Sequence, residues 1–476
     1  MPHAIIPRTR NLAALAAAAL LLGCSDPVGS DTPYVVTPVS TTTLAGTPGW
    51  ALADTLVVEV RDAEGNLVPG ARVTWSLPQD GRLAVQLADA DDRMTGTADD
   101  RGRNYAVWTL GLNEGAQVAR AAAGTESNVS FTATATALHA VDVTVGYDHA
   151  CAILTDQRPV CWGANYYGQL GVGDFVYRSA PTAVEGLDAA LEIVASPSDH
   201  TCARDLAGDI WCWGSNQAGQ AGSLAATKQS TPVRVPGAQG ATTIDLGYYF
   251  SCAILSVGGA RCWGYSDAGR LGIGDPPVQG TFYPNPMVVV GGSDFVTIGL
   301  TYDRACALDS TGEAWCWGYA SGGELSPAPR NNYYSPIQPI PGYKFSEVAL
   351  NWWTNCGIAL GGVARCWGYN AGLGYGWSPE NTPEPISPRV DGSFAQIAAD
   401  QGTFYGRTRD GRLAVWGYYN CCGLQTLGEV PLPVRAIDVA AGGYGYCIIA
   451  ESGALYCERD TYPRSGLRAI PSTPIP

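Results

Sequence analysis

A unit of about fifty residues occurs seven times in the second part of this 476-residue chain, and no other sequence feature restricts its fold as strongly. The first copy, residues 143–171, reads VTVGYDHACAILTDQRPVCWGANYYGQLG. The copies align on a cysteine, and six of them carry a second cysteine ten residues later, whereas the sixth copy has Tyr405 and Val415. Because one such unit cannot bury its own apolar surface, this period predicts a propeller or a solenoid.

Each copy predicts four short strands. A β-branched residue within an alternating run stands eight residues before the first cysteine and marks strand one. The two cysteine segments form strands two and three, joined by a hairpin that has a glycine six residues after the first cysteine in every copy except the first, where Gln157 stands. A run led by proline, such as residues 181–184, forms strand four. Seven such antiparallel units in a closed ring make a seven-bladed β-propeller over residues 138–476.

The spacing of the cysteines predicts one disulfide within each hairpin, because residues ten apart face each other when the turn lies midway between them. A zinc site is disfavoured, since the ligands are not clustered and the chain has only four histidines. Cys421 and Cys422 are left open between a vicinal disulfide, free thiols and a link to another chain. The predicted pairs are Cys151–Cys161, Cys202–Cys212, Cys252–Cys262, Cys306–Cys316, Cys356–Cys366 and Cys447–Cys457.

Short motifs in these copies are similar to a known repeat family. The segments that begin at His149 (HACA), Trp162 (WGAN) and Gly168 (GQLG) resemble the regulator of chromosome condensation repeat. The resemblance covers residues 138–476 and weakens in the last two copies, where Glu458 and Arg459 replace Trp-Gly in the seventh. It implies a seven-bladed propeller, in agreement with the count of copies.

The first residues of the chain predict export. Arg8 and Arg10 precede a short apolar run that ends in Leu-Leu-Gly-Cys, which resembles the bacterial lipobox. Residues 1–23 are therefore expected to be a lipoprotein signal peptide, Cys24 the lipid-bearing first residue, and Ser25 a signal for the outer membrane. The alternative is an ordinary signal peptide with an incidental cysteine. Since an exported protein does not meet nuclear partners, the nucleosome binding and nucleotide exchange of the family's eukaryotic namesake are not transferred to this chain.

Between the signal and the repeats, two further segments are expected. Residues 24–45 are rich in Ser, Thr, Pro and Asp, which predicts a flexible tether. Residues 46–137 show short alternating runs separated by turn signals, which predicts a two-sheet sandwich. Motifs such as GNLVPG at residues 65–70 are similar to bacterial Ig-like domains of the invasin and intimin group, which implies a spacer. The predicted fold class is thus all-β, with an Ig-like β-sandwich followed by the propeller.

Charge and motif content argue against several functions. The net charge of −15 and the presence of only two lysines disfavour nucleic acid as a partner. No nucleophile elbow, zinc-protease motif or phosphate loop occurs, so we expect no catalytic residue, cofactor or metal. Paired carboxylates from different blades remain an open route to glycoside cleavage. His149 and His200 occupy equivalent repeat positions, which suits a structural role better than a unique catalytic one.

The connections between strands one and two are rich in aromatic residues, and in an up-and-down blade they emerge at the same end as the three-to-four connections. Such a face is typical of recognition surfaces. It predicts a lipid-anchored, non-catalytic envelope protein that binds an unknown protein partner, similar in architecture to a secreted bacterial propeller that inhibits β-lactamases. Asp148 and Asp303 suggest a basic patch on that partner. The alternatives are a carbohydrate-binding or carbohydrate-active propeller and a purely structural protein. The predicted partner-binding residues are Tyr147, Tyr248, Tyr249, Phe250, Tyr302, Trp352, Trp353, Phe404 and Tyr444.

Overall fold

The chain folds almost entirely into β-strands, with a single 3-10 turn at Asp267–Gly269 among the described residues. A computed structural model describes residues 34–48, 51–77, 81–86, 94–111, 114–124, 127–222, 226–257, 259–274, 276, 278–292, 294–320, 325, 331–369, 381–386, 393–417, 428–432, 434–443, 445–459 and 468–470. Within these ranges, no helix has the length and apolar character that a membrane span requires. The predicted lipidation site Cys24, the pair Cys421 and Cys422, and Tyr444 lie outside them.

The first nine strands form two sheets that pack on one shared core. One sheet has the order β1-β3-β7-β5 and the other β2-β9-β8-β4-β6. Their facing side chains, including Trp75, Trp108 and Phe131, form one buried cluster. The resemblance to bacterial Ig-like domains remains a prediction. The strands are Val35–Pro38, Thr43–Gly46, Leu56–Arg61, Arg72–Ser76, Gly81–Val85, Thr95–Thr97, Arg103–Leu110, Gly115–Ala123 and Ser127–Ala135, numbered β1 to β9.

The boundary of the predicted tether is wrong by one pair of strands. Val35–Pro38 pairs with β3, and Thr43–Gly46 pairs in parallel with β9, so residues 35–46 already contribute two strands to the sheets. Polar composition was misleading because these are edge strands, in which Val36 and Leu44 are buried in the shared core while the other positions are partly or fully exposed.

The remaining strands form seven four-stranded antiparallel sheets, each made of four consecutive strands. We call these sheets blades one to seven in chain order. Their strands, β10 to β37, are Ala140–Val145, His149–Leu154, Pro159–Gly163, Arg178–Ala183; Glu192–Ala195, His200–Arg204, Ile210–Ser215, Lys228–Arg234; Ala241–Leu246, Phe250–Leu255, Ala260–Tyr265, Phe282–Val288; Phe295–Leu300, Arg304–Asp309, Ala314–Gly318, Tyr333–Ile337; Phe345–Leu350, Thr354–Ala359, Ala364–Tyr369, Asn381–Ile386; Phe394–Ala399, Thr403–Thr408, Leu413–Gly417, Gly428–Val430; Ala436–Gly442, Gly445–Ala450, Leu455–Arg459 and Arg468–Ala469.

The blades close into a ring. The first strand of each blade contacts the first strand of the next, and the first strand of blade seven contacts that of blade one. These inner strands surround a central channel that contains a cavity of about 270 Å³. The all-β propeller predicted from seven repeats is therefore confirmed, and closure of the ring packs the inner edge strand of each blade against its neighbours, so these edges are short and protected.

Side chains on the inner strands tie neighbouring blades together at the channel. Asp142 of blade one accepts the backbone N–H of Ile193 in blade two, and Glu347 of blade five accepts that of Ile397 in blade six. In the same manner Asp245 of blade three accepts the backbone N–H of Leu300 in blade four. Burial raises the pKa of each of these three carboxyls to about 7. The carboxyls thus act as interblade acceptors in an environment that disfavours their charge.

The hairpin register was predicted correctly. In six blades the two cysteines are direct partners across strands two and three and are joined by a disulfide. Tyr405 faces Val415 at the same position of blade six. The turn residue has φ of +79° at Gly208 and +87° at Gly312, and Gln157 adopts +70° where the first copy lacks glycine. One strand-one assignment slipped by a residue, because Ile193 and not Val194 takes the buried place of Val143.

The Trp-Gly motif packs at the contact between neighbouring blades. Trp213 is fully buried, and its Nε1 donates a 2.9 Å hydrogen bond to the carbonyl of Gln169 in the preceding blade. The glycine that follows, Gly214, has φ of +96°, and a Cβ there would lie 2.4 Å from the carbonyl oxygen of Asp199. The predicted interblade role holds for the tryptophans at 213, 263, 317, 367 and 416, whereas Trp162 is only half-buried.

Candidate functional site

The aromatic connections meet in one depression at the mouth of the channel. Its volume is about 660 Å³, and its lining combines strand one-to-two connections of several blades with the segment after strand three of blade four. The two classes of connection therefore share one end, as predicted. The depression is lined by Tyr147, Pro197, Ser198, Asp199, Tyr248, Tyr302, Asp303, Tyr319, Trp352, Trp353 and Gln401.

Two consecutive positions of the repeat supply most of this lining. The residue four before the aligned cysteine is Tyr147, Ser198, Tyr248, Tyr302, Trp352 and Gln401 in the first six copies. The residue three before it is an acid in copies one, two and four and Trp353 in copy five. Because each blade presents the same position to the channel mouth, a single column of the repeat builds the wall of the depression.

The aromatic rings form a continuous series across three blades. The ring of Tyr248 stacks on that of Tyr302, with centroids 4.1 Å apart and an interplanar angle of 18°. Tyr302 meets Trp352 edge-on at 6.0 Å, and Trp352 meets Trp353 edge-on at 5.7 Å. The two indoles thus contact each other within one depression. Tyr147, 39% exposed, and Tyr302, 38% exposed, leave ring surface open to solvent.

Two buried arginines hold the aromatic connections from below. Nη1 of Arg304 donates to the carbonyl of Trp352 at 3.1 Å, and its Nη2 donates to the carbonyl of Asn351. Nη1 of Arg270 donates to the carbonyl of Tyr248 at 3.2 Å. Both guanidinium groups lie behind the aromatic rings, where they fix the backbone of the connections. The aromatic surface is therefore preorganised, which reduces the entropy cost of binding.

Carboxylates stand beside the rings. Asp199 accepts a 3.0 Å hydrogen bond from Nε2 of Gln169, and burial raises its pKa, with the nearby Asp148 as the second cause. Burial also raises the pKa of Asp303, although the guanidinium groups of Arg304 and Arg270 oppose this shift. Nη1 of Arg304 lies 3.9 Å from Oδ1 of Asp303. The depression thus combines aromatic faces with partly desolvated negative charge.

The structure corrects two of the predicted partner-binding residues. Phe250 and Phe404 are fully buried at the first and second positions of their strands, respectively, where they pack in the cores between blades. Tyr249 is half-buried and packs against Tyr248 with ring centroids 4.2 Å apart and an interplanar angle of 55°, without lining the depression. Tyr147, Tyr248, Tyr302, Trp352 and Trp353 are brought together, whereas Tyr444 lies outside the described residues.

Sequence reasoning missed Asp199 and Tyr319 at this site. Asp199 occupies the repeat position of Asp148 and Asp303, so an alignment of the copies carried the signal. Tyr319 directly follows Trp-Gly, as Tyr265 does in the preceding copy. The prediction did not include them because it was based on runs of aromatic residues and not on equivalent positions of the repeat.

The two repeat histidines serve the blade interfaces. Nε2 of His149 donates to Oγ1 of Thr201 at 2.8 Å, because that hydroxyl donates its own proton to the carbonyl of Gln169. His200 makes the equivalent contact with Ser251 in the next blade. Burial lowers the pKa of both imidazoles to about 3, so neither exchanges a proton at neutral pH. This position is structural, as predicted.

Comparison with known families identifies the repeats in blades one to three. Profiles of the regulator of chromosome condensation (RCC1) repeat match residues 140–169 and 193–220, and residues 161–204 and 207–254. The ultraviolet-B receptor UVR8 of Arabidopsis thaliana is 26% identical over 40% of this chain and 44% of its own length. The probable E3 ubiquitin-protein ligase HERC6 of Homo sapiens is 34% identical over 29% of this chain and 14% of its own length. The chain thus spans less than half of these relatives.

Solved structures show the same fold. Human WBSCR16 superposes with a TM-score of 0.59 at 18% identity, over 68% of this chain and 90% of its own. Prp20p from Saccharomyces cerevisiae, studied for its binding to Gsp1p and histones, superposes with a TM-score of 0.56 at 18% identity, over 71% of this chain and 88% of its own. At this level of identity the likeness establishes the propeller fold alone.

Proposed function

We propose that this chain, whose residues 140–254 are regulator of chromosome condensation repeats, is a non-catalytic binding protein that uses the aromatic depression to hold a protein partner. The observation that carries the proposal is the continuous aromatic series from Tyr248 to Trp353, fixed from below by Arg270 and Arg304. Rigid tyrosine and tryptophan rings bring large contact area at low entropy cost. Protein partners of related propellers, such as those of Prp20p, support a binding role over a catalytic one.

Removing the two indoles is expected to weaken partner binding by about 2 kcal/mol or more, roughly 30-fold, in at least one of the variants Trp352→Ala and Trp353→Ala. The reason is that both rings line the depression, and Trp352 also lines the channel behind it, so a partner seated there covers them from solvent. The measurement is affinity capture from the envelope and secreted fractions of the native cells, followed by titration of the captured protein against each variant.

Leu360→Ala provides the matched control, since Leu360 is 73% exposed on the opposite end of the same blade. A protein that is captured by this control but not by the indole variants binds specifically at the depression. Equal capture by all variants, with unchanged melting temperatures, would contradict the proposal.

We further propose that the two N-terminal sheets act as a spacer between the propeller and a lipid anchor on Cys24. The bacterial lipoprotein modification supplies more than one acyl chain, which stable anchoring requires. Cys24→Ala is expected to move the protein from the membrane fraction to the soluble fraction in the native cell. A variant that still sediments with membranes after a high-salt wash would contradict the anchor without affecting the binding site.

A further inference from the structure

We propose that the depression receives a basic side chain, an arginine or a lysine, from the partner protein, which inserts between the aromatic rings and the carboxylates of Asp199 and Asp303. This inference rests on the proposed function and specifies the chemistry of its ligand. Three features of the site carry it: the placement of charge, the cost of covering carboxylates, and the continuation of the depression into the channel.

The positive charges at the site do not face the ligand. Arg304 is fully buried, and its donors point to backbone carbonyls and to Asn355. Arg270 is 7% exposed, and its donors bond the carbonyls of Asp267 and Tyr248. The negative charges, in contrast, belong to residues that line the opening. A ligand that enters the depression therefore meets carboxylates and ring faces before it meets a guanidinium group.

Covering the depression with a neutral surface is unfavourable. Asp199 and Asp303 are already partly desolvated, as the raised pKa of each carboxyl shows. A partner that excluded the remaining water without bringing positive charge would leave Asp199 buried with the neutral amide of Gln169 as its hydrogen-bond donor, and Asp303 with Nη1 of Arg304 3.9 Å away, beyond hydrogen-bond distance. Burying carboxylates that are compensated so weakly costs several kcal/mol. A cation pairs with the carboxylates and also interacts with the faces of Tyr and Trp, which attract positive charge.

The channel behind the depression also favours a positively charged ligand. Trp352, Pro197 and Gln401 line both spaces, so the two are continuous. Asp245 and Asp400 line the channel side. A long side chain with a terminal positive charge, which arginine and lysine alone provide in an unmodified protein, can cover the ring faces with its stem and direct its charge toward these carboxyls.

The test compares two peptides that differ only in charge. Acetyl-Gly-Arg-Gly-amide and its citrulline analogue, which has nearly the same shape without the charge, are titrated into the full mature chain at low ionic strength by calorimetry. We expect the citrulline peptide to bind at least about tenfold more weakly than the arginine peptide. We expect Asp199→Asn and Trp353→Leu each to weaken the arginine peptide by about fivefold or more. Asn at position 199 keeps an oxygen that accepts the bond from Gln169.

Asp188→Asn is the charge control, because Asp188 is exposed in the connection between blades one and two and is absent from the depression. Equal binding of the two peptides, or unchanged binding after Asp199→Asn, would overturn the inference. So would tight binding of a neutral oligosaccharide such as maltohexaose in place of the arginine peptide. If partner capture depends on Trp352 and Trp353 but the arginine peptide does not compete with the captured partner, the proposed function is supported and the inference of a basic ligand is wrong.

Discussion

Loss of one hairpin disulfide is expected to lower the free energy of unfolding by about 2 to 3 kcal/mol, and loss of all six is expected to lower it further while the ring stays closed in the absence of urea. Each bridge joins residues with a sequence separation of 10, so it restricts only a short loop of the unfolded chain. The inner-strand contacts and the buried tryptophans between blades do not depend on the bridges. The reduced cysteines would remain as small apolar side chains in the blade cores.

The measurement is urea unfolding of oxidised protein and of protein made and kept under reducing conditions, with tryptophan fluorescence as the readout. The double variant Cys252→Ala/Cys262→Ala provides the single-blade reference, because it removes one bridge of the six. Hydrogen exchange should be least changed by reduction in blade six, where Tyr405 and Val415 replace the bridge. A reduced chain that is unfolded without urea would show that the ring depends on the bridges, contrary to this prediction.

The blade architecture could be predicted because seven copies repeat the same information. Strand order, the pairing of the cysteines and the burial of the Trp-Gly tryptophans follow from alternation, spacing and turn residues that recur in each unit. Where a copy departs from the pattern, the prediction was less secure. One additional residue in the connection between strands one and two of blade two shifted the strand-one assignment from Ile193 to Val194.

The candidate site was only partly predictable, because the chain passes from solvent to core within four residues. Tyr248 lines the depression and Phe250, two residues later, is fully buried between blades. Composition alone cannot distinguish such neighbours, and both were assigned to one surface. The column of the repeat separates them, since the position of Phe250 holds the buried His149 and Arg304 in other blades.

The channel carboxyls were not foreseen for a different reason. An acid in an alternating strand normally indicates a solvent-exposed position, as Asp142 and Glu347 would in an isolated sheet. Closure of the ring turns these positions toward the first strand of the next blade, where their oxygens accept backbone N–H groups. Their environment is a property of the ring and not of the local sequence.

These carboxyls are expected to make the propeller more stable near pH 5 than near pH 8. The folded pKa of Asp142, Asp245 and Glu347 is about 7, above their ordinary pKa values of 3.8, 3.8 and 4.5. A group whose folded pKa is raised stabilises the fold fully below its unfolded pKa, and this contribution is lost as the pH rises through the folded pKa. The window of loss is therefore about pH 4 to 7. His149 and His200 act in the opposite direction, because their folded pKa of about 3 makes the fold lose stability as the pH falls below 6.5.

Glu347→Gln isolates one of these contributions, since glutamine keeps an oxygen that can accept the N–H of Ile397 but does not titrate. The wild type should lose roughly 3 kcal/mol relative to this variant between pH 4.5 and 7, because one pKa unit corresponds to about 1.4 kcal/mol. Urea unfolding at several pH values gives the difference in the free energy of unfolding between the two proteins. A pH-independent effect of the substitution on stability does not change how this difference varies with pH. Parallel profiles for the wild type and Glu347→Gln would contradict this prediction. They would show that water or an ion in the channel stabilises the charged carboxylate of Glu347, which is then ionised in the folded protein at neutral pH.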